Sequence, residues 1–186
     1  MIIRRANAGE DREVLAFYHD LIDGMRGRPY CPYWQKGVYP VLEDLRGATD
    51  RSELHLAEED GRIAGAFILN RVQGAGYDRV PWRTPAAPEE VGVLHLLAVH
   101  PAYQGRGLGR ALLGRAAELA RSGGDRVIRL DTLTWNVPGR RLYEGFGFRW
   151  CGDFDLTYPT TGTIPFSMYE LALDGDGRGC PEREKG

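Results

Sequence analysis

The sequence predicts an α/β domain, with a mixed central sheet of six or seven strands flanked by about four helices. Three observations carry this. The chain of 186 residues suits one domain of ordinary size, and with 42% hydrophobic and 27% charged residues it has a globular composition. Segments of helical and strand character follow one another as strand, two helices, three strands, helix, strand, helix, strands, the pattern of a layered mixed sheet. One segment, VGVLHLLAVH, is apolar almost throughout, as a strand covered on both faces should be.

Each element has its own signal. MIIRRA reads as the first strand, and GEDREVLAFYHDLIDGM as a helix with Val14, Leu15, Tyr18, Leu21 and Ile22 at helical spacing. RGRPYCPYWQKGVYP, rich in turn residues and aromatics, should be a loop leading to a second helix around Val41 to Leu45. SELHLAEEDGRIAGAFILNRV reads as a hairpin turning at EDG, with Leu54, Leu56 and Glu58 on one face and His55 and Ala57 on the other. From Gln73 to Glu90, prolines and glycines without periodicity predict a long loop holding Tyr77 and Trp82, and long loops in compact domains are often functional. The strand VGVLHLLAVH follows, then a helix to about Ser122, then the strand DRVIRLDTL. NVPGRRLYEGFGF reads as a short helix with Asn136 near its cap, Pro138 in its first turn and a Gly-Phe-Gly stop. Two short strands complete a domain over residues 1–173, and DGDGRGCPEREKG, 174–186, reads as a polar tail that is disordered or weakly held.

Charge and cysteine usage narrow the setting. The net charge of −2 gives no field favouring nucleic acid or an anionic membrane. The opening MIIRRANAGEDREV is too charged for a signal peptide, and no apolar run approaches the length that spans a bilayer. Cys31, Cys151 and Cys180 are odd in number and widely spaced, which predicts free thiols in a reducing compartment and no zinc site; the expected location is cytoplasmic.

HPAYQGRGLGRALL joins the apolar strand to a helix and raises the question of which phosphate it holds. The dinucleotide fingerprint fails, because its third glycine falls on Arg110 or Leu112. The nucleoside-triphosphate loop fails, because Arg115 and Ala116 follow the Gly109/Gly114 pair. What remains is Q-x-x-G-x-G over Gln104, Gly107 and Gly109. Glycines here turn the backbone sharply, the helix start adds unpaired N–H groups and a positive dipole end, and Arg106 and Arg110 add charge. That set suits a pyrophosphate; a glycine-rich turn without ligand would look the same.

The loop does not stand alone. LHLLAVHPAYQGRGLGRALL, IRLDTLTWN and RRLYEGFGF, in this order and at this spacing, resemble the GNAT superfamily of N-acetyltransferases. The resemblance covers about Val91 to Phe148, and more loosely the N-terminal strand, helices and hairpin. Residues 104 to 109 match the family's loop motif [RQ]-x-x-G-x-[GA] at every fixed position. The resemblance implies a GNAT-like fold and acetyl-CoA as co-substrate, without a metal. It places the coenzyme's pyrophosphate on Gln104, Gly105, Arg106, Gly107, Leu108 and Gly109. It also implies that the strand ending LLAVH splays from IRLDTL, so that Leu97 and Val99 offer N–H groups to the acetyl carbonyl and the pantetheine arm, with Asn136 bonding the same arm.

Acetyl transfer to an amine needs a base for the amine, donors for the thioester oxygen and an acid for the departing thiolate. Tyr143 is the expected acid, because RRLYEGFGF resembles the family's segment in which a tyrosine approaches the coenzyme sulfur, and a phenol keeps its proton at neutral pH. His95 is the expected base. Its strand resembles the arylalkylamine N-acetyltransferase branch, H-x-H-x-L-A-V-H, with Val93 in place of the first histidine. By alternation His95 shares a face with Leu97 unless a bulge intervenes. Glu58, Glu90 and Asp131 are rival bases. Asp131 could instead attract a cationic amine or pair with Arg129, while Arg140 and Arg141 read as solvated charges.

The acceptor site is expected among the aromatics of the two loops, Tyr33, Tyr39 and Trp82, with Asp131. Cys31 has no activating neighbour in sequence and is discounted as a nucleophile. The expected function is acetyl transfer to the amine of a small molecule by direct attack in a ternary complex. The alternatives are a protein or peptide N-acetyltransferase and a non-catalytic acyl-CoA-binding sensor. Domains of this kind often pair through their C-terminal strands, which leaves a homodimer open.

Overall fold

A computed structural model describes residues 1–173; the tail expected to be disordered lies outside the described residues. One sheet of seven strands runs in the order β1-β2-β3-β4-β5-β7-β6. The strands are β1 (Ile2–Arg5), β2 (Leu54–Glu59), β3 (Arg62–Asn70), β4 (Val91–Val99), β5 (Val127–Leu133), β6 (Arg149–Tyr158) and β7 (Gly162–Ala172). The helices are α1 (Asp11–Met25), α2 (Leu42–Asp50), α3 (Leu108–Ser122) and α4 (Val137–Phe146). Only β4 and β5 are parallel, and every other neighbouring pair is antiparallel. The predicted mixed sheet and four helices are present.

Three details differ from the reading of the sequence. α2 runs to Asp50, beyond the few residues expected, because Leu45, Ala48 and Thr49 continue its buried face. The last two strands are the longest in the sheet, paired from Arg149–Glu170 to Tyr158–Gly162. The loop 73–90 is pinned by two 3₁₀ turns, at Tyr77–Arg79 and Pro88–Glu90. Among the described residues no helix is long and apolar enough to cross a membrane.

The helices cover the sheet unequally. α3 and α4 bury Leu108, Leu112, Leu113, Ala116 and Tyr143 against Leu94, Ile128 and Leu130 on one face. On the other face α1 and α2 bury Val14, Tyr18, Leu21 and Leu45 against Leu54, Leu56, Leu96 and Ala98. A third cluster fills the rest of that face, where Tyr77 and Val80 of the long loop meet Val91, Val93, Leu133, Leu156 and Met168.

Tyr18 ties α1 to the middle of the sheet, its hydroxyl donating to the carbonyl of Leu96 at 2.7 Å in a fully buried position. Tyr18→Phe leaves that carbonyl without its partner, so the expected loss of stability is about 1–2 kcal/mol. Equilibrium urea unfolding measures it, and an unchanged midpoint would mean that the hydroxyl does not support the strand.

Candidate active site

The site is built where the sheet opens. β4 pairs with β5 only at Val91–Val127, Gly92–Ile128 and Val93–Arg129, while β5 continues beside β7 as far as Leu133–Phe166. Beyond Val93, β4 follows β3 and leaves β5. The His100 N–H donates to Ala64 O at 2.9 Å, so alternation turns Ala98 toward β3 and the N–H groups of Leu97 and Val99 toward the gap. The splay expected from the resemblance is therefore present.

A bulge sharpens it. Ile68 faces His95 and Ala66 faces Ala98, so two steps on β3 match three on β4. Leu96 absorbs the extra residue at φ 51°, and the Tyr18 hydroxyl holds its carbonyl. The expected shared face of His95 and Leu97 is thereby corrected. Leu94, Leu97 and Val99 pack toward α3, whereas Leu96 and Ala98 pack toward α1. His95, one step after Leu94, lies on the α1 side. The gap thus joins the two faces of the sheet, with Leu97 and Val99 on one and His95 on the other.

A cavity of about 810 Å³ runs through this gap. Its α3 end is lined by Leu97, Val99, Gln104, Gly105, Gly107, Leu108, Gly109, Arg110, Asn136 and Tyr143. Gly105 and Gly107 hold left-handed φ of 76° and 81°, and Gly107 is the N-cap of α3. The first N–H returned into the helix is that of Ala111, on Gly107 O at 3.1 Å, so the N–H groups just before it are open to an anion. A Cβ on Gly109 would lie 2.9 Å from Leu142, so the first turn of α3 sits close against α4. Gln104 Nε2 donates to Val99 O at 3.2 Å and ties the loop back to β4.

The arginines take other work. Arg106 pairs with Glu59, lies over the Tyr103 ring and does not line the cavity. Arg110 donates to Gly145 O at 2.9 Å and lies over Phe146. What the loop offers an anion is backbone N–H groups and the helix dipole, a set whose chemistry would fit a pyrophosphate. Asn136 caps α4, accepting from Gly139 N at 3.2 Å, and donates to Thr132 Oγ1 at 2.9 Å.

Tyr143 projects from α4 at the gap, 7% exposed, between Phe148 and Tyr169 with ring centroids 5.8 Å away in each case. Its hydroxyl has no hydrogen-bond partner among the described residues. Burial pushes its pKa above the usual 10, with Asp131 and Tyr169 adding to this, so the phenol holds its proton at neutral pH.

The opposite end of the cavity is aromatic around one carboxylate. Asp131 Oδ1 accepts from the Tyr77 hydroxyl at 2.7 Å and from the Tyr158 hydroxyl at 3.3 Å. Burial raises the Asp131 pKa, opposed by these two bonds and by His95. His95 Nε2 lies 3.1 Å from both Asn70 Oδ1 and Val72 O. Two acceptors on one nitrogen place the ring proton there and leave the Nδ1 lone pair basic. Burial holds the His95 pKa below the ordinary 6.5, with Asp131 the largest opposing influence.

Tyr33 and Tyr39 line this end as expected. Tyr33 stacks edge-on with Trp135 at 5.5 Å, and burial raises the Tyr39 pKa. Trp82 does not line the cavity: its ring lies 4.5 Å from the Arg129 guanidinium and its Nε1 donates to Tyr77 O at 2.8 Å. It anchors the loop that presents Tyr77 to Asp131. Arg129 shares a face with Asp131 but bonds to Gln73 and Thr84, and no ion pair joins the two.

The rival carboxylates lie elsewhere, Glu58 on Arg4 at 2.7 Å and Glu90 accepting from Ala87 N at 2.9 Å. Arg140 is not the solvated charge expected, since it bonds Tyr169 Oη and Thr134 O. Burial raises the Cys31 pKa, and the thiol lies in a separate small cavity, which disfavours a thiolate nucleophile. Tyr158, Asn70 and Tyr18 were not legible as site residues. Each acts through a partner at least 25 residues away, and no local motif marks them.

The pattern of the acetyltransferase (GNAT) family fits residues 16–148. A mycothiol acetyltransferase from Thermomonospora curvata is 32% identical over 129 residues, 67% of this chain and 38% of that protein. The N-alpha-acetyltransferase RimI from Mycobacterium tuberculosis is 38% identical over 114 residues, 61% of this chain and 68% of that protein. The chain thus spans well under half the length of the mycothiol enzyme and about two thirds of the other. Among solved structures, Salmonella typhimurium yncA with its cofactor acetyl-CoA superposes at a TM-score of 0.69 and 20% identity, over 96% of this chain and 97% of that one.

Proposed function

This chain belongs to the acetyltransferase (GNAT) family, and on that footing we propose that it transfers an acetyl group from acetyl-CoA to the amine of a small-molecule acceptor, by direct attack in a ternary complex. The observation that carries the reading is the single cavity through the opened sheet, with an anion cradle at one end and a base, a carboxylate and tyrosines at the other. The coenzyme supplies the activated acetyl thioester. Leu97 and Val99 offer N–H groups for its carbonyl, and Gln104 to Gly109 hold its pyrophosphate. His95 takes one proton from the acceptor's ammonium and passes it to solvent. Tyr143 gives its proton to the departing sulfur and is replenished by a second proton from the acetylated nitrogen, which keeps one.

The acceptor end is roofed. Gln35 Nε2 donates to Thr160 O at 2.9 Å, tying the aromatic loop after α1 to the β6–β7 turn, and Tyr33 meets Trp135. Such a closure favours a small molecule. The similarity to RimI favours a protein N-terminus as the second reading. The cytoplasmic setting belongs to the proposal, and the free thiols Cys31 and Cys151 support it.

Thiol release from acetyl-CoA in the presence of small amines and of a short peptide with a free N-terminus tests both readings. The proposal expects release with small amines and little with the peptide, and no release with any amine would overturn it. His95→Gln adds a pH test. With neutral His95 the bound ammonium can be deprotonated at all pH values above the histidine's depressed pKa. The variant must instead use free amine, whose fraction grows tenfold per pH unit up to the amine's own pKa. Parent exceeds variant by about 10²-fold near pH 7, and the ratio closes toward alkaline pH. A ratio flat across pH would remove His95 from the base role.

A further inference from the structure

The lining of the acceptor end carries more information than the presence of a base. Asp131 is the only acidic residue among the described residues that line the cavity. Its Oδ1 already takes the hydroxyls of Tyr77 and Tyr158, and no other side chain bonds its Oδ2 among the described residues. Tyr39 and Tyr158 line the same cavity. The guanidinium in the lining, Arg110, belongs to the first turn of α3 at the coenzyme end and is already spent on Gly145 O and the Phe146 ring. His95 is the other basic group, and it is held neutral by its surroundings.

Resting on the acetyl-transfer reading, we infer that the acceptor is a monocationic amine with no carboxylate beside its nitrogen, docked as the ammonium on Asp131 Oδ2 among tyrosine rings. A cation entering this end meets the carboxylate, whose Oδ2 no side chain occupies among the described residues, and the tyrosines of the lining. A carboxylate entering with it would stand near Asp131 with no cation to meet it, and a desolvated, unpaired charge is rejected strongly. The two phenol bonds to Oδ1 keep the carboxyl group fixed and aimed, so that Oδ2 need not reorganise when the cation arrives. His95 on the neighbouring strand is then placed to take a proton from the docked group. The chemistry separates simple amines from amino acids.

The test is calorimetric titration of three probes of one shape into the protein saturated with coenzyme A: 2-phenylethylamine, L-phenylalanine and 2-phenylethanol. The amine is expected to bind on the order of 10- to 100-fold more tightly than either of the others. Asp131→Asn keeps an oxygen for Tyr77 and Tyr158. It should bring the amine down to the level of the alcohol, while the affinities for the alcohol and for coenzyme A stay unchanged. Phenylalanine binding as well as the amine, no measurable amine binding, or an amine-to-alcohol ratio untouched by Asp131→Asn would each overturn the inference. The comparison within the parent protein decides on its own if the variant does not fold. Because the readout is binding, tight amine binding without thiol release would sink the acetyl-transfer reading and leave the cation site standing.

Discussion

Tyr143→Phe should lower turnover by about 10²-fold while leaving coenzyme affinity within a factor of about two. The ring is packed between Phe148 and Tyr169, and phenylalanine keeps that packing. The hydroxyl bonds to nothing among the described residues, so its removal orphans no protein group. What disappears is a proton held at the gap between β4 and β5, on a phenol whose pKa is raised by burial and so stays protonated. Steady-state rates with acceptor saturating, beside titration of coenzyme A, separate the two effects. A variant that turns over like the parent would show that solvent protonates the departing sulfur. Equal losses in rate and coenzyme affinity would instead mark the hydroxyl as a binding group.

The second large effect is at Gly107, where substitution tests the cradle. A Cβ there meets nothing within 4 Å, so space is not the constraint. The constraint is φ of 81°, which costs an ordinary L-residue roughly 1–2 kcal/mol and a β-branched one more. Gly107→Val is expected to relieve that strain by turning the peptide planes whose N–H groups, on the proposed reading, would meet the pyrophosphate. Coenzyme affinity should fall at least about 30-fold, since several charge-assisted bonds weaken together. Gly107→Asn, which tolerates the left-handed region, should lose far less. The order glycine, asparagine, valine in coenzyme A titrations is the expected result. Asparagine and valine variants of equal affinity would mean that backbone conformation at this position does not shape the cradle.

These two sites differ in how legible they were. The cradle is contiguous: Gln104 to Gly109 and the helix they open lie within one stretch, and the glycines and helix start are local chemistry. Tyr143 was singled out because RRLYEGFGF resembles the family's segment with a tyrosine at the coenzyme sulfur, and the structure places it in the cavity lining. The acceptor end was legible only as a set of residue types. Two of its expected aromatics, Tyr33 and Tyr39, line the cavity, and Trp82 serves Arg129 instead. Nothing in the spacing of the long loop separates a tryptophan facing a cavity from one stacked on a buried guanidinium.

His95 shows the same limit on a single strand. Alternation put it beside Leu97, and the bulge at Leu96 moved it to the other side. A leucine at positive φ carries no signal in sequence. The strain is held by the Tyr18 hydroxyl from 78 residues away and by packing of α1.

By itself, then, the sequence determined the layered mixed sheet and the glycine-rich turn that opens α3, because periodicity and short motifs are encoded among near neighbours; the tyrosine beyond it was singled out through the family resemblance. Tertiary structure alone decided which face His95 takes, how far β4 parts from β5, and what surrounds Asp131. Those depend on bonds such as Tyr77 to Asp131, 54 residues apart, and Tyr158 to Asp131, 27 apart. Contacts of that range form only when the folded chain brings the strands and the long loop together, and no local pattern records them.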